Sequence, residues 1–431
     1  VIRDWSSDVC SSDLDLFSPG YFQLPIRKGE SIVFSAGITE TEHTTLKKLF
    51  QTETRRRLPR DNYINCLKNA AQQFIVNRDG QTRIIAGFPY FGRFSRDTFI
   101  ALPGLTLSAN NPGLCKSILL SVGQELNGPL FPNILTRKVP VYNSVDAPLW
   151  FVWAIQKYAE YTENLKSVWK DFGSSVIQIL EGYRKGTQYN IQMLDNGLVY
   201  ASAYGQALTW MDAVIDGKPV TPRDGCPIEV NSLWYNAIGF ALEATRKTGD
   251  TAFVERWNPV YKMLEHTLLD SFWDSARGYL ADCVNGETTD WTLRPNQVIA
   301  TAMLYTPFTE EIRKNSISRV KHELLTPRGI RTLSPTHPDY HGVYFGNPVE
   351  RDIAYHQGTA FPWLLGFFTE GYLKIHGKSG LSFIKRLFNG FEAEMTEHGL
   401  GSISEVYDGD PPHKPGGSVS QAWSVSEVLR M

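Results

Sequence analysis

Four stretches of this 431-residue chain crowd carboxylates, amides and aromatic rings together. The first, FPYFGRFSRDTFIALPGL, puts Arg96 and Asp97 at the mouth of a helix, with Phe88, Tyr90, Phe91 and Phe94 just before it. Asp97 has two readings there. As a helix-entrance acid it caps the helix or complements its dipole. As a binding group it joins Arg96 in hydrogen-bonding sugar hydroxyls, while the rings cover an apolar C–H face. The second stretch, YASAYGQALTWMDAVIDGKPVTPRDGCPIEVNSLWYNAI, contains Trp210, Met211 and Asp212, then Arg223, Glu229, Asn231 and Trp234. A polar loop of this length, dense in acids and aromatics, is costly as mere connection. Asp216-Gly217-Lys218 and Arg223-Asp224-Gly225 read as ordinary turns without chemistry, and at Glu229 and Asn231 capping competes with ligand binding. The third, YHQGTAFPWLLGFF, opens a helix with His356, Gln357 and Trp363. No second histidine stands at ligand spacing, so this pattern points to no metal site. The fourth, GSISEVYDGDPPHKPGGSVSQAWSVSEVLR, places Glu405 and Asp408 in a Gly/Pro-rich loop before the last helix, where either acid also reads as a solvated loop residue. Two acids far apart in sequence, each in a long aromatic-rich loop, suggest glycoside hydrolysis. One carboxylic acid must protonate the departing oxygen, and one carboxylate must activate water or attack the anomeric carbon.

The elements that must carry these loops are helical. Helical periodicity runs over 60–76, 97–108, 112–126, 145–163, 170–187, 229–249, 251–270, 296–304, 308–325, 356–376, 379–397 and 420–431. Alternating short and long connections between them predict an all-α fold over residues 41–431: six helical hairpins closed into a double ring, an (α/α)6 barrel. Residues 15–40 read differently. YFQLPI, a Lys28-Gly29-Glu30 turn and SIVFSAGI give two strands, and two strands rarely stand alone in water. That segment is expected to be the remnant of an N-terminal β-domain. Residues 1–14, with the Ser/Asp-rich DWSSDVCSSDL, carry no period and are expected to be disordered or non-native.

Composition narrows the class. A 42% hydrophobic chain of this length exceeds what one compact core usually holds, which makes a large domain with an appendage the default. A net charge of -2 leaves no electrostatic footprint for nucleic acid or anionic membrane. The basic cluster Arg55, Arg56, Arg57 and Arg60 reads as a solvated patch. No apolar run reaches the ~18 residues of a membrane span. Cys10, Cys66, Cys115, Cys226 and Cys283 are odd in number, scattered and without ligand spacing, which fits reduced thiols in a cytoplasmic protein without zinc.

Taken in order, FGRFSRDTFIALPGL, YNSVDAPLWFVWAIQKY, TPRDGCPIEVNSLWYNAI, RPNQVIA, YHQGTAFPW and the GSISEVYD stretch closely resemble the amylo-α-1,6-glucosidase family of bacterial-type glycogen debranching enzymes, from Asp15 to the C-terminus. The resemblance implies an (α/α)6 barrel akin to that of glucoamylases, preceded by a β-sandwich. It also implies hydrolysis of single α-1,6-linked glucose residues from a branched α-glucan such as glycogen or limit dextrin, with no cofactor. Asp212 of TWMD then holds the general-acid position and Glu405 of SISEVYD the general-base position of an inverting mechanism. Arg96 and Asp97 match the pair that grips the terminal glucose. Trp210, Glu229, Asn231, Trp234, His356, Gln357 and Trp363 match pocket walls, joined by Asn143, Asp146 and Trp150. GRFSRD carries Phe94 and Ser95 between its arginines, a departure from shorter versions that bears on the outer contacts. The assignment requires Asp212 to keep its proton while Glu405 is ionised, and so predicts an apolar setting for Asp212 and a more solvated Glu405. Nothing resembles the transferase domain of the larger eukaryotic enzymes. Three rival readings remain. They are a glucoamylase-like exo-hydrolase of α-1,4 ends, a sugar epimerase or isomerase working through histidines, and a non-catalytic α-glucan-binding protein, against which the retention of both acids speaks.

Overall fold

The computed structural model describes residues 21, 23–37, 40–78, 80–89, 91–135 and 139–431. Its helices are α1 (Leu46–Arg56), α2 (Tyr63–Gln73), α3 (Ser95–Leu102), α4 (Pro112–Gly123), α5 (Ala147–Thr162), α6 (Leu165–Lys185), α7 (Ile228–Thr248), α8 (Thr251–Phe272), α9 (Gln297–Ala302), α10 (Glu310–Glu323), α11 (Pro348–Tyr355), α12 (Leu364–His376), α13 (Leu381–Gly390), α14 (Glu394–Glu397) and α15 (Ala422–Leu429). Short polar side chains set several starts. Asn62, Asn111, Asn164, Asp250 and Thr309 accept first-turn backbone N–H groups at α2, α4, α6, α8 and α10, satisfying donors that have no partner inside the helix. Asn347 and Glu350 close a reciprocal capping box at α11.

Burial sorts the helices into two layers. α6 hides one stripe, Val168, Phe172, Val176, Ile179, Leu180 and Tyr183, and shows its other face to water. α7 is buried on every side from Ile228 to Leu242, and α3 and α9 are buried throughout. The inner helices pack in a cycle: α3 on α5, α5 on α7, α7 on α9, α9 on α12, α12 on α15, and α15 back on α3. Outside them α4 lies on α5, α6 on α5 and α7, α8 on α7, α10 on α9 and α12, and α2 on α15. An aromatic cluster fills the middle. Trp363 meets Trp210 edge-on at 5.1 Å and Trp150 at 6.2 Å, and stacks on Trp423 at 5.4 Å. Truncating one of these buried rings to alanine would cost roughly 3–5 kcal/mol.

Small sheets hold the loops at one end. The largest orders Leu325–Thr326, Gly329–Arg331, Ala360–Phe361, Val406–Tyr407 and Pro415–Gly416 side by side. A two-stranded ladder pairs Gly87–Phe88 with Ser420–Gln421 and joins the start of the cycle to its end.

Several sequence boundaries shift. The helix expected over 356–376 begins at Leu364, because Gly358 adopts φ 154 and residues 360–361 enter the sheet. The helix expected over 97–108 loses its α-geometry at Pro103 and continues as a wider π turn to Leu107. The stretch 379–397 divides into α13 and α14, and α1 and α11 lie outside the helical spans read from the sequence. Between residues 23 and 37 the expected turn is present, with Glu30 N–H donating to the Arg27 carbonyl at 3.0 Å. The flanking strands are absent there, since neither side finds a ladder partner among the described residues. Residues 1–14 lie outside the described residues. Arg56 and Arg57 ion-pair with Glu53 on an exposed face. Among the described residues no helix is long and apolar enough to cross a membrane.

Candidate active site

Loops from four parts of the chain meet the first turn of α3 around one cleft. Phe91, Phe94, Arg96, Asp97, Trp210, Asp212, Tyr355, Glu405, Gln421 and Trp423 line it. It opens to solvent. The ladder at residues 87–88 and 420–421 sets one wall. Ala422 N–H donates to the Ala86 carbonyl at 2.7 Å, and the Ser418 hydroxyl to the Phe88 carbonyl at 2.8 Å. Gln421 then donates its amide to Asp97 Oδ2 at 3.2 Å. The N-cap position of α3 carries no side-chain cap, but Asp97 lies in the first turn and its carboxyl accepts its own backbone N–H, so the helix-entrance reading stands beside this cross-wall bond.

Arg96 is the cation of the site. Buried Asp146 grips its Nε at 2.8 Å and its Nη2 at 2.9 Å, Ser144 accepts from Nη2 at 3.1 Å, and the remaining Nη1 reaches Asp212 Oδ2 at 3.1 Å. Ser144 and the Trp150 indole both donate to Asp146. Asp146 and Trp150 therefore sit behind Arg96 and aim it. Of the two residues that set GRFSRD apart, Phe94 lines the cleft and packs edge-on against Phe91 at 5.8 Å, while buried Ser95 donates its hydroxyl to the Pro132 carbonyl; Arg93 turns away to Glu125 at 2.6 Å.

The loop bearing Asp212 is pinned from below by a buried polar network. Trp210 Nε1 donates to Asn296 Oδ1 at 2.7 Å, and Asn296 donates to Asp282 Oδ1 at 2.7 Å. Arg223 joins Asp282 to Glu229, with Nε on Asp282 Oδ2 at 2.7 Å and two nitrogens on Glu229 at 2.5 and 2.6 Å. The turn reading of Arg223 is thereby corrected. Its side chain is only 2% exposed, and a buried guanidinium persists because two carboxylates neutralise it. The reading of Asp216-Gly217 as a turn stands, both residues having positive φ in a hairpin between Val214–Ile215 and Lys218–Pro219.

Glu405 enters from the edge of the five-stranded sheet. Its Oε2 accepts the Ser418 N–H at 2.8 Å and its Oε1 accepts the Tyr355 hydroxyl. Gly417 makes the first bond possible: its φ is +65, and a Cβ there would lie 2.4 Å from Oε2. Asp408 does not line the cleft; its Oδ1 accepts the Tyr344 N–H at 2.8 Å.

Three cleft carboxyls stand above the ordinary range. Burial pushes Asp97 up to about 7, with Arg96 opposing and Glu405 and Asp212 adding repulsion. Burial pushes Asp212 to about 6 against Arg96, with Asp146 adding to the rise. Burial pushes Glu405 to about 7 against its Ser418 and Tyr355 hydrogen bonds. The expected contrast in solvation is reversed: Glu405 is buried, whereas Asp212 is half-buried. The Gly-rich loop wraps Glu405 instead of opening it to water.

The remaining residues read from the sequence stand one layer back. Asn231 bonds the backbone of Val199 and Pro227, and Trp234 donates to the Gly197 carbonyl and stacks on Tyr183. Glu229 is held by Arg223, and no side chain caps α7. His356 is buried between Trp210 and Phe361, and burial, aided by Arg294, Arg96 and Arg223, holds it well below the usual imidazole range. Gln357 bridges Arg294 and the Val220 carbonyl, Trp363 belongs to the aromatic cluster, and Asn143 donates to Gln206. Tyr90 lies outside the described residues. Tyr355, Gln421 and Trp423 line the cleft and were not singled out, although each falls inside or beside a quoted motif. Among the described residues no group of three His, Cys, Asp or Glu side chains could hold a metal ion.

Residues 69–430 match the sequence profile of the family described as Amylo-alpha-1,6-glucosidase. The chain is also 25% identical over 389 residues to a Saccharomyces cerevisiae protein described as Glycogen debranching enzyme, with 68% of this chain and 25% of that protein covered. It thus spans about a quarter of the length of that curated relative.

Proposed function

The chain belongs to the amylo-alpha-1,6-glucosidase family, and from that premise we propose that it hydrolyses single α-1,6-linked glucose stubs on a branched α-glucan, with inversion. The observation that carries this reading is that Asp212 and Glu405, from distant loops, line one cleft together with Arg96 and an aromatic wall. Asp212 donates its proton to the departing glycosidic oxygen. Glu405 accepts a proton from the water that attacks the opposite face of the anomeric carbon. Both Glu405 oxygens already accept a donor, which orients the carboxylate and leaves lone pairs for that water. Arg96 and Asp97 hold hydroxyls of the terminal ring, while Phe91, Phe94 and Trp423 cover its apolar face.

The cyclic packing of six inner helices, with others outside them, supports the (α/α)6 reading. Exposed Tyr21, Leu24, Ile26 and Phe34 support assigning residues 15–40 to a β-domain remnant. Unpaired Cys66, Cys115, Cys226 and Cys283 support a cytoplasmic setting.

The test is glucose release from a phosphorylase-trimmed limit dextrin without phosphate, followed by proton NMR before mutarotation. β-Glucose should appear first. Initial α-glucose would overturn inversion, absence of glucose would overturn the activity, and faster cleavage of linear maltooligosaccharides would move the specificity to α-1,4 ends.

A further inference from the structure

The loop over residues 340–347 carries an apolar side chain into water while being held at many points. His341 N–H donates to the Gln357 carbonyl at 2.6 Å, and the Gly342 carbonyl accepts Gly409 N–H at 2.7 Å. Tyr344 N–H donates to Asp408 at 2.8 Å, Tyr340 hydroxyl to Asp410 at 2.9 Å, and Arg351 to the Gly346 carbonyl at 3.1 Å. The capping box of α11 fixes the loop's far end. Within this frame Tyr344 turns inward, its ring 5.8 Å from that of Tyr355, which lines the cleft and donates to Glu405. Phe345, the next residue, is 81% exposed. It follows directly on Tyr344, whose ring packs against the cleft-lining Tyr355, so the loop presents Phe345 to solvent one residue beyond that contact.

Binding residues are disproportionately carried on loops held by a rigid scaffold, and this loop is held at both ends beside the cleft wall. The substrate's shape indicates what covers it. If the cleft takes the terminal glucose, as proposed above, the rest of the glucan must leave through the open mouth and run across the rim. Pyranose rings there present C–H faces to whatever flat apolar surface lies beneath them. We propose that Phe345 is an outer platform that stacks a glucose unit of the chain bearing the stub, and that Asp408 acts as a positioning residue by holding the loop that presents it. This accounts for Asp408, an acid of the catalytic loop that does not line the cleft. It also means that recognition of the polymer is separable from recognition of the ring being cleaved.

The experiment compares wild type, Phe345→Ala and Phe345→Tyr on limit dextrin and on α-glucosyl fluoride, which carries no sugar beyond the cleaved ring. Dextrin binding is followed by affinity electrophoresis and oligomeric state by sedimentation. Stacking of this kind is worth about a threefold to tenfold effect. KM for dextrin should rise by that factor in Phe345→Ala with kcat held, KM for the fluoride should not follow, and Phe345→Tyr should restore the wild-type value. An unchanged dextrin KM would overturn the platform, as would an equal loss on both substrates. Loss of a wild-type dimer in Phe345→Ala would overturn it too, by assigning Phe345 to a contact between copies. If wild type cleaves neither substrate, weakened dextrin binding by Phe345→Ala still upholds the platform, and the failure belongs to the hydrolytic reading.

Discussion

Replacing Tyr355 with Phe removes one hydroxyl and keeps the ring that packs on Tyr344, His356 and Phe361. That hydroxyl donates to Glu405 and so stabilises the ionised carboxylate. A hydrogen bond to a charged group is worth roughly 1.5–3 kcal/mol, and one pH unit corresponds to about 1.36 kcal/mol. Its loss should carry Glu405 from about 7 upward by roughly one to two pH units. The sign of the kinetic effect follows from the order of the pair. Asp212 at about 6 lies below Glu405 at about 7, so on the proposed roles the active species, with Asp212 protonated and Glu405 ionised, is the minor singly protonated form. It grows with pH through the first ionisation and declines through the second. Raising Glu405 therefore leaves the ascending limb of kcat/KM in place and moves the descending limb to roughly pH 8–9. The share of active species at the optimum falls about 7- to 60-fold in the same step. The assay is kcat/KM on limit dextrin from about pH 5 to about pH 10, which reports the free enzyme. Movement of the ascending limb would place Glu405 below Asp212, and an unmoved profile would detach Tyr355 from the base. Either result refutes the reasoning.

Asp212→Asn should lower kcat by ~10²–10⁴ while dextrin binding persists; near-normal turnover removes Asp212 from the acid's role. Glu405 rises from 4.5 to about 7 on folding, so the stability it lends is full below its unfolded value and is lost as pH climbs through 7. Glu405→Gln should therefore melt higher than wild type at pH 8, by about 3 kcal/mol of stability, and lose that advantage at pH 4; an equal gain at both pH values would contradict the linkage. Arg223→Ala strands Glu229 and Asp282 in the interior and should cost roughly 3–5 kcal/mol in urea unfolding; a loss under ~1 kcal/mol would show that the network carries little.

Motif identity made Arg96, Asp97, Trp210, Asp212 and Glu405 readable, and these share the cleft with Phe91 and Phe94 of the first stretch. What stayed hidden is mostly depth. α7 is buried on all sides, so its sequence has no polar face to tell a wall residue from a packing residue, and Asn231 and Trp234 read alike from either side. Arg223 resembled a turn because both carboxylates that neutralise it depend on the fold: Asp282 is 59 residues away and Glu229 points inward from the next helix. The solvation of Glu405 was misjudged because glycines are open in sequence, whereas here Gly417 lets the backbone close over the carboxylate. The helices were recoverable from period and caps. The break before Leu364 was not: Gly358 marks it locally, but it also depends on a strand pairing with Gly329–Arg331 across the fold.

The ladder between residues 87–88 and 420–421 sets the order in which the chain can become competent. Gln421 reaches Asp97 across 324 residues, a separation that a ribosome adding ~5–20 residues per second covers in roughly 15–65 s. Arg96, Asp146 and Asp212 have emerged well before that ladder can form, so helices from the middle of the chain can pair while the site is still half-made. The Ser418 N–H that orients Glu405 arrives in the same late stretch. A nascent chain therefore holds Asp212 long before Glu405 is set, and the proposed site is completed by the last of its walls to be synthesised.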